Sequence, residues 1–406
     1  MPASAPEAPA TPAPAFGIYV HWPFCRAKCP YCDFNSHVAT AVDDRRWARA
    51  LCAELDHFAA RARGRTVTSV YFGGGTPSLM APATVATVID RVRRNWPVDR
   101  NVEITLEANP TSAEAARFAA YRAAGVNRLS LGVQALDDDD LRRLGRGHDR
   151  AEAVAAVDLA RRHAERVSID LIYARPGQEP AAWRHELGRA LSLPIDHVSL
   201  YQLTVEPGTA FGAAHRRGEL ELPDDERTAD LFEVTQEACD AAGLPAYEVS
   251  NHAPPGRECR HNLTYWRSED YVGIGPGAHG RIAGPGPGAS RERRAIRQTR
   301  SPEAWLAAVE SRGHATEEDR PLSVSEHAAE TLLMGLRLTE GIELADFARR
   351  LGRPLVAMVD EAGLRRLAEG GFLRLEGGRL AVTERGRRVL NAVLAELLAE
   401  RRPTVS

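Results

Sequence analysis

The sequence predicts an α/β fold, a partial TIM-like barrel of six βα units followed by a C-terminal winged-helix-like α+β module. Three observations predict it. From Phe16 onward, short β-branched or aromatic runs alternate with longer segments of helical period, the pattern of βα units on a parallel sheet. Six such units over about 180 residues give roughly 30 residues each, the length of a βαβ element, and fall short of a closed eight-fold barrel. The last stretch, from near Ser323, reads as three helices, a hairpin at GFLRLEGGRLAVT turning on Gly377 and Gly378, and a closing helix from Glu384.

Taken in order, residues 1 to 15 are nearly all Ala and Pro, which offer nothing to bury, and are expected as a disordered tail. The expected strands are Gly17 to His21, Thr66 to Phe72, Val102 to Leu106, Arg128 to Leu131, Arg166 to Ile172 and His197 to Tyr201. Between them, Arg45 to Arg61, Ala83 to Arg94, Ala113 to Ala124 and Ala151 to His163 carry apolar residues three and four apart, as crossover helices do. Parallel sheets and barrels bind ligands at the carboxyl ends of their strands, and the notable residues fall there. Gly73, Gly74 and Gly75 follow the second strand, Glu107 ends the third, Gln134 follows the fourth and Asp170 lies in the fifth. After Pro207 the alternation fades, and Gly280 to Arg300, with its GPGPG run and dense Arg, reads as a long exposed loop at a boundary. The expected division is therefore a tail over 1–15, the barrel over 16–206, an extension over 207–300 and a C-terminal domain over 301–406.

Of the 406 residues, 44% are hydrophobic and 26% charged, ordinary globular usage. Basic and acidic side chains balance, 52 against 55, so there is no positive field for sequence-independent nucleic-acid binding, and the terminal module reads as structural or partner-docking. No uncharged apolar run reaches the 18 or more residues of a membrane span, and the N-terminus lacks the regions of a signal peptide. A cytoplasmic protein without an integral membrane segment is expected, with room for peripheral membrane contact. The acidic run Leu136 to Asp140 precedes a helical stretch and reads as an N-cap rather than a metal site.

Six cysteines in so long a chain do not make a disulfide scaffold. Cys52, Cys239 and Cys259 are scattered, whereas Cys25, Cys29 and Cys32 form C-x3-C-x2-C within YVHWPFCRAKCPYCDF. Three thiolates leave two readings open. With His21 or His37 as a fourth ligand they would close a structural zinc site; alone they would hold a cubane iron-sulfur cluster with one iron free for chemistry. FGGGTP, Phe72 to Pro77, directly follows a strand, and its glycines let the backbone come within hydrogen-bond distance of a ligand.

The cysteine spacing, with aromatic Tyr31 before the last thiol, resembles the signature loop of the radical S-adenosylmethionine (radical SAM) superfamily. The resemblance implies a [4Fe-4S] cluster on Cys25, Cys29 and Cys32, an open iron that chelates S-adenosylmethionine, and cleavage to a 5'-deoxyadenosyl radical. It also implies cofactor contacts at Tyr31, Gly74, Gly75 and Thr76. Further segments are similar to the porphyrin branch of that superfamily, which holds the oxygen-independent coproporphyrinogen III oxidases and the HemW-type heme chaperones. That similarity carries cofactor contact to Tyr19 in YVHWPFC, Glu107 in LEANP, Gln134 in GVQ, Arg146 in LGRGH, Asp170 in IDLIY and His279 in YVGIGPGAHG. The residue types suit such contacts, since carboxylates accept from ribose hydroxyls or an ammonium, and a guanidinium suits a carboxylate.

Two features separate the subfamilies. The oxidase pattern continues with a cysteine two positions beyond the third, where this sequence has Phe34, which speaks against oxidase activity. CRHNLTYW, Cys259 to Trp266, resembles the H-N-x-x-Y-W motif of the heme chaperones. By that resemblance His261 is the heme-iron ligand, Asn262 orients its ring, and Tyr265 and Trp266 complete the heme site. The leading expectation is thus a heme chaperone that carries the cluster, S-adenosylmethionine and heme, passes heme to apo-proteins and draws on an electron donor. The alternative is an oxygen-independent coproporphyrinogen III oxidase, and a poorer one a zinc-stabilised winged-helix regulator.

Overall fold

The computed structural model describes residues 15–284 and 292–399. Residues 1–14 of the expected tail, and all of GPGPG but Gly284, lie outside the described residues.

Six parallel strands, β1 (Phe16–Trp22), β2 (Val67–Gly74), β3 (Val98–Ala108), β4 (Arg128–Gln134), β5 (Arg166–Tyr173) and β6 (His197–Gln202), lie side by side in chain order. Each overlaps an expected strand. Helices Asp44–Arg61, Pro82–Asn95, Arg150–His163 and Pro180–Leu191 connect them, and the segment expected as one helix from Ala113 is two, Ser112–Ala115 and Phe118–Ala124. Side chains of a strand alternate between faces, and here the two faces have opposite chemistry. One set, including Ile18, Val20, Val70, Phe72, Ile104, Leu106, Leu129 and Ile169, joins the helices in the main core. The other set is polar and meets across the inner face: Ser69, Tyr71, Glu103, Glu107, Arg128, Ser130, Ser168, Asp170 and His197.

The sheet continues at both ends. β7 (Asn251–His252) pairs antiparallel with β6, and β8 (Asp270–Ile274) pairs parallel with the free side of β1. Beyond β8, the antiparallel strands β9 (His279–Ala283), β10 (Arg293–Gln298) and β11 (Thr316–Pro321) bring the sheet to eleven strands. This corrects the exposed loop expected over Gly280 to Arg300. Ile282, Ala295 and Ile296 are buried there, and Arg293 and Arg294 are satisfied in place. Arg293 donates to the carbonyls of Ser268 and Glu269, and Arg294 pairs with Asp319.

Helix Pro302–Arg312 stacks Trp305 on Trp47 at 5.1 Å and belongs to the main core. Packing therefore divides the chain near 322, and the boundary expected at 300 is corrected: residues 301–321 go with the large sheet. Helices Val324–Gly335, Leu344–Leu351 and Glu361–Glu369, a three-stranded sheet and a closing helix Leu390–Leu397 enclose a second core around Leu332, Phe347, Leu380 and Val393. The expected hairpin is present, with Gly377 and Gly378 both at positive φ, as a tight two-residue turn requires. Among the described residues no helix is long and apolar enough to cross a membrane.

Candidate functional site

At the carboxyl ends of β2 to β6 a cavity of about 650 Å³ opens beneath the cysteine loop. Cys25, Cys29 and Cys32 all line it, with Tyr31 and Phe34 beside them. The loop descends onto the glycines after β2, where a Cβ on Gly75 would stand 2.8 Å from the carbonyl oxygen of Phe24 and 3.0 Å from Cys25 Sγ. Only glycine lets the two segments come this close. Thr76 Oγ1 then donates to Cys25 Sγ at 3.4 Å, while burial pushes that thiol up from its ordinary range. Arg146 reaches over from the turn after helix Asp138–Arg143 and donates to Cys29 Sγ at 3.3 Å, to Tyr31 Oη at 3.4 Å and to the Gly132 carbonyl at 2.9 Å.

The three thiols share one cavity, yet among the described residues no three Cys, His, Asp or Glu side chains converge on a single ion. Three thiols are one short of a closed zinc site and match a cubane cluster with one open iron, and Cys25, Cys29 and Cys32 are the residues that would hold it.

The floor is carboxylate and amide. Glu107 accepts from Tyr71 Oη at 2.8 Å and from the Gly74 amide at 3.2 Å; burial, helped by nearby Asp170, raises its pKa to about 7. Asp170 takes a 3.4 Å hydrogen bond from Ser130 and is likewise raised by burial. Gln134 reaches the cavity because β4 breaks register between Leu131 and Gln134 and leaves Gln134 at φ 71°, strain of the kind that collects at functional sites. Of the expected cofactor contacts, Tyr31, Gly74, Gly75, Thr76, Glu107, Gln134, Arg146 and Asp170 come together here.

Tyr19 and His279 do not. They line a second cavity of about 760 Å³ between β1 and the antiparallel extension, which shares Phe34, Gly74 and Glu107 with the first. His21, expected as a spare metal ligand, is buried between Tyr19 Oη at 3.1 Å and the Asn35 carbonyl at 2.9 Å.

His261 stands behind the tyrosines of this cavity at 1% exposure. Its Nδ1 bonds Ser69 Oγ at 2.9 Å, its Nε2 bonds Tyr265 Oη at 2.6 Å, and its ring stacks on Tyr71. Burial lowers its pKa to about 3, so it is neutral. Both nitrogens are engaged, and Tyr265 is the motif residue that faces the cavity. The ring is oriented by Ser69 and Tyr265, correcting the expectation that Asn262 would do so; Asn262 bonds Tyr247 instead. Trp266 is also corrected. Five positions along helix Arg260–Trp266 it points away from His261 and lies under the guanidinium of Arg337, 4.6 Å above its ring, at the junction with the C-terminal unit. Cys259 is fully buried and donates to Glu103 at 3.5 Å, its thiol pushed up to about 12. Asp137 caps helix Asp138–Arg143 as expected, accepting from the amides of Asp139 and Asp140.

Asn109, Arg297 and Arg300 escape a reading of the sequence. Asn109, two residues past Glu107, bonds Arg146 in the first cavity, and its one signal is that it is the next polar side chain at a strand end. The two arginines lie in the segment whose composition suggests a loop.

The geometry can be set beside known proteins. Residues 19–187 match the radical SAM superfamily and residues 322–389 the HemN C-terminal domain. The chain is 40% identical to the mitochondrial radical S-adenosyl methionine domain-containing protein 1 of Bos taurus, across 97% of this chain and 90% of that one. It is 38% identical to the heme chaperone HemW of Escherichia coli, across 95% and 99%. Among solved structures, coproporphyrinogen III oxidase (HemN) of Escherichia coli superposes with a TM-score of 0.78 at 22% identity, over 96% of this chain and 92% of that one, a likeness of fold. The radical SAM domain implies a [4Fe-4S] cluster and S-adenosylmethionine, for which the first cavity supplies three thiols and a polar floor. The chain belongs to the radical SAM superfamily, in its HemN-like branch, with similarity to the HemW proteins.

Proposed function

We propose that this protein binds heme and delivers it to acceptor apo-proteins, with a [4Fe-4S] cluster on Cys25, Cys29 and Cys32 and S-adenosylmethionine beside it, served by an electron donor. The near end-to-end similarity to proteins named heme chaperone HemW carries this reading. The bound cluster supplies one-electron chemistry. This chain's own residues then divide the work of binding. Thr76 and Arg146 hold sulfurs, Glu107 and Asp170 offer carboxyl oxygens to a ligand, and Gln134 and Asn109 add amide donors and acceptors. His261 and Tyr265 form the heme-side pair, with Tyr265 toward the cavity, so iron ligation by His261 requires Tyr265 to move aside.

Oxidative decarboxylation of coproporphyrinogen III is the second reading, on the likeness of fold to HemN, and Phe34 stands against it. One experiment separates them. The reconstituted protein is given coproporphyrinogen III, S-adenosylmethionine and a strong reductant without oxygen, and separately loaded with hemin and mixed with apo-myoglobin. Hemin transfer without protoporphyrinogen is expected; catalytic protoporphyrinogen would make the protein an oxidase and overturn the carrier reading.

A further inference from the structure

The second cavity has a composition that the cluster and S-adenosylmethionine do not account for. Its inner side is aromatic: Tyr19, Tyr265 and Tyr271 line it, with Tyr265 and Tyr271 packed edge to face at 4.5 Å. Its outer side is cationic. Arg297, in β10, and Arg300, just past its end, line the cavity with His279, whose basicity is depressed by burial first and then by Arg281, Arg297 and Arg300. Arg297 is part-neutralised by Glu318 at 3.3 Å and Glu317 at 3.7 Å. Arg300 is exposed and has no carboxylate partner among the described residues. Phe34, at 63% exposure, adds an apolar face on the side shared with the first cavity. At about 760 Å³ the space is in the range of sites for large organic ligands.

We infer that this second cavity is the receiving site for a porphyrin, with the tyrosines against the macrocycle and Arg300, assisted by Arg297, binding its propionate carboxylates. The inference rests on the heme reading and gives it a location. An aromatic wall opposite an unpaired guanidinium selects a flat apolar ligand with anionic groups at one edge. Asn35 joins this site to the cluster loop, since its side-chain amide donates to the Pro276 carbonyl at 2.9 Å and to the Arg300 carbonyl at 3.0 Å. The backbone carrying Arg300 is thereby held against the loop that carries the cysteines.

The test is hemin titration of the full chain with its cluster reconstituted, followed in the Soret band, for wild type, Arg300→Glu and His261→Ala, each with hemin and with hemin dimethyl ester. Arg300 is exposed, so its reversal leaves the core and the iron-sulfur absorption intact. Arg300→Glu is expected to weaken hemin on the order of tenfold or more and to leave the ester unchanged, while wild type prefers hemin to the ester by a similar factor. Wild type binding hemin and ester alike, or Arg300→Glu binding hemin like wild type, would overturn the assignment of the cavity while leaving the carrier reading intact. Loss of hemin in His261→Ala with no effect of Arg300→Glu would likewise put the heme elsewhere. No hemin binding by wild type would sink both.

Discussion

Glu107 sits on the wall common to both cavities, and its protonation is a property of the folded chain. Because the folded pKa, about 7, lies above the ordinary 4.5, the folded state holds a proton that the unfolded chain has released between these values. Stability contributed by this group is therefore complete below about pH 4.5 and is lost as pH rises through 7. Glu107→Gln keeps the shape and removes the titration. The variant is expected to be more stable than wild type at pH 8, by on the order of 1–3 kcal/mol, and equal to it near pH 4.5, as urea unfolding across that range would show. A second residue-scale expectation concerns Arg146, whose forked group bridges Cys29, Tyr31, Asn109 and Gly132. Arg146→Lys keeps the charge and loses the fork, so S-adenosylmethionine affinity should fall roughly tenfold in calorimetry of the reconstituted protein. Cys29→Ala should abolish the iron-sulfur absorption band, and a full band in that variant would contradict the ligand assignment.

Among elements, helix Asp44–Arg61 shows how one side chain fixes the extension of the sheet. Glu54, fully buried, accepts from the Gly275 amide at 2.8 Å, the Ala315 amide at 2.9 Å and Trp305 Nε1 at 3.0 Å. Glu54→Ala leaves three buried donors without a partner and is expected to cost about 3–5 kcal/mol, read as a lower urea midpoint. How much of this is legible in the sequence varies with the element. The six parallel strands are, since β-branched runs and helical periods alternate cleanly, and so are the site residues at their ends. β10 and β11 are not: RRAIRQ buries Arg293 against backbone carbonyls and half-buries Arg294 and Arg297 against carboxylates, and TEEDRP is an edge strand with little buried surface, so neither shows the apolar alternation on which strand recognition depends. The heme-motif segment is legible as a motif but not as a shape. Once it is a helix, a spacing of four sets Tyr265 beside His261 and a spacing of five turns Trp266 to the other side.

For the whole molecule, the two cores meet where Trp266 and Arg337 stack, and Arg337 also pairs with Glu248, which is fully buried. Arg337→Ala would leave that carboxylate without its cation and is expected to destabilise the junction by about 3 kcal/mol, seen as faster proteolytic release of the C-terminal unit. The charge balance that speaks against nucleic acid in the sequence has its structural counterpart in arginines taken up by carboxylates across the surface, from Arg46 with Glu310 to Arg366 with Glu396. The clasp of Asn35 spans 241 residues to Pro276 and 265 to Arg300. The loop that carries the cysteines is thus held from two directions, by Thr76 and Arg146 on the barrel side and by the antiparallel extension through Asn35. Opening of the antiparallel extension would release one side of that hold and leave the thiols positioned from the barrel side alone.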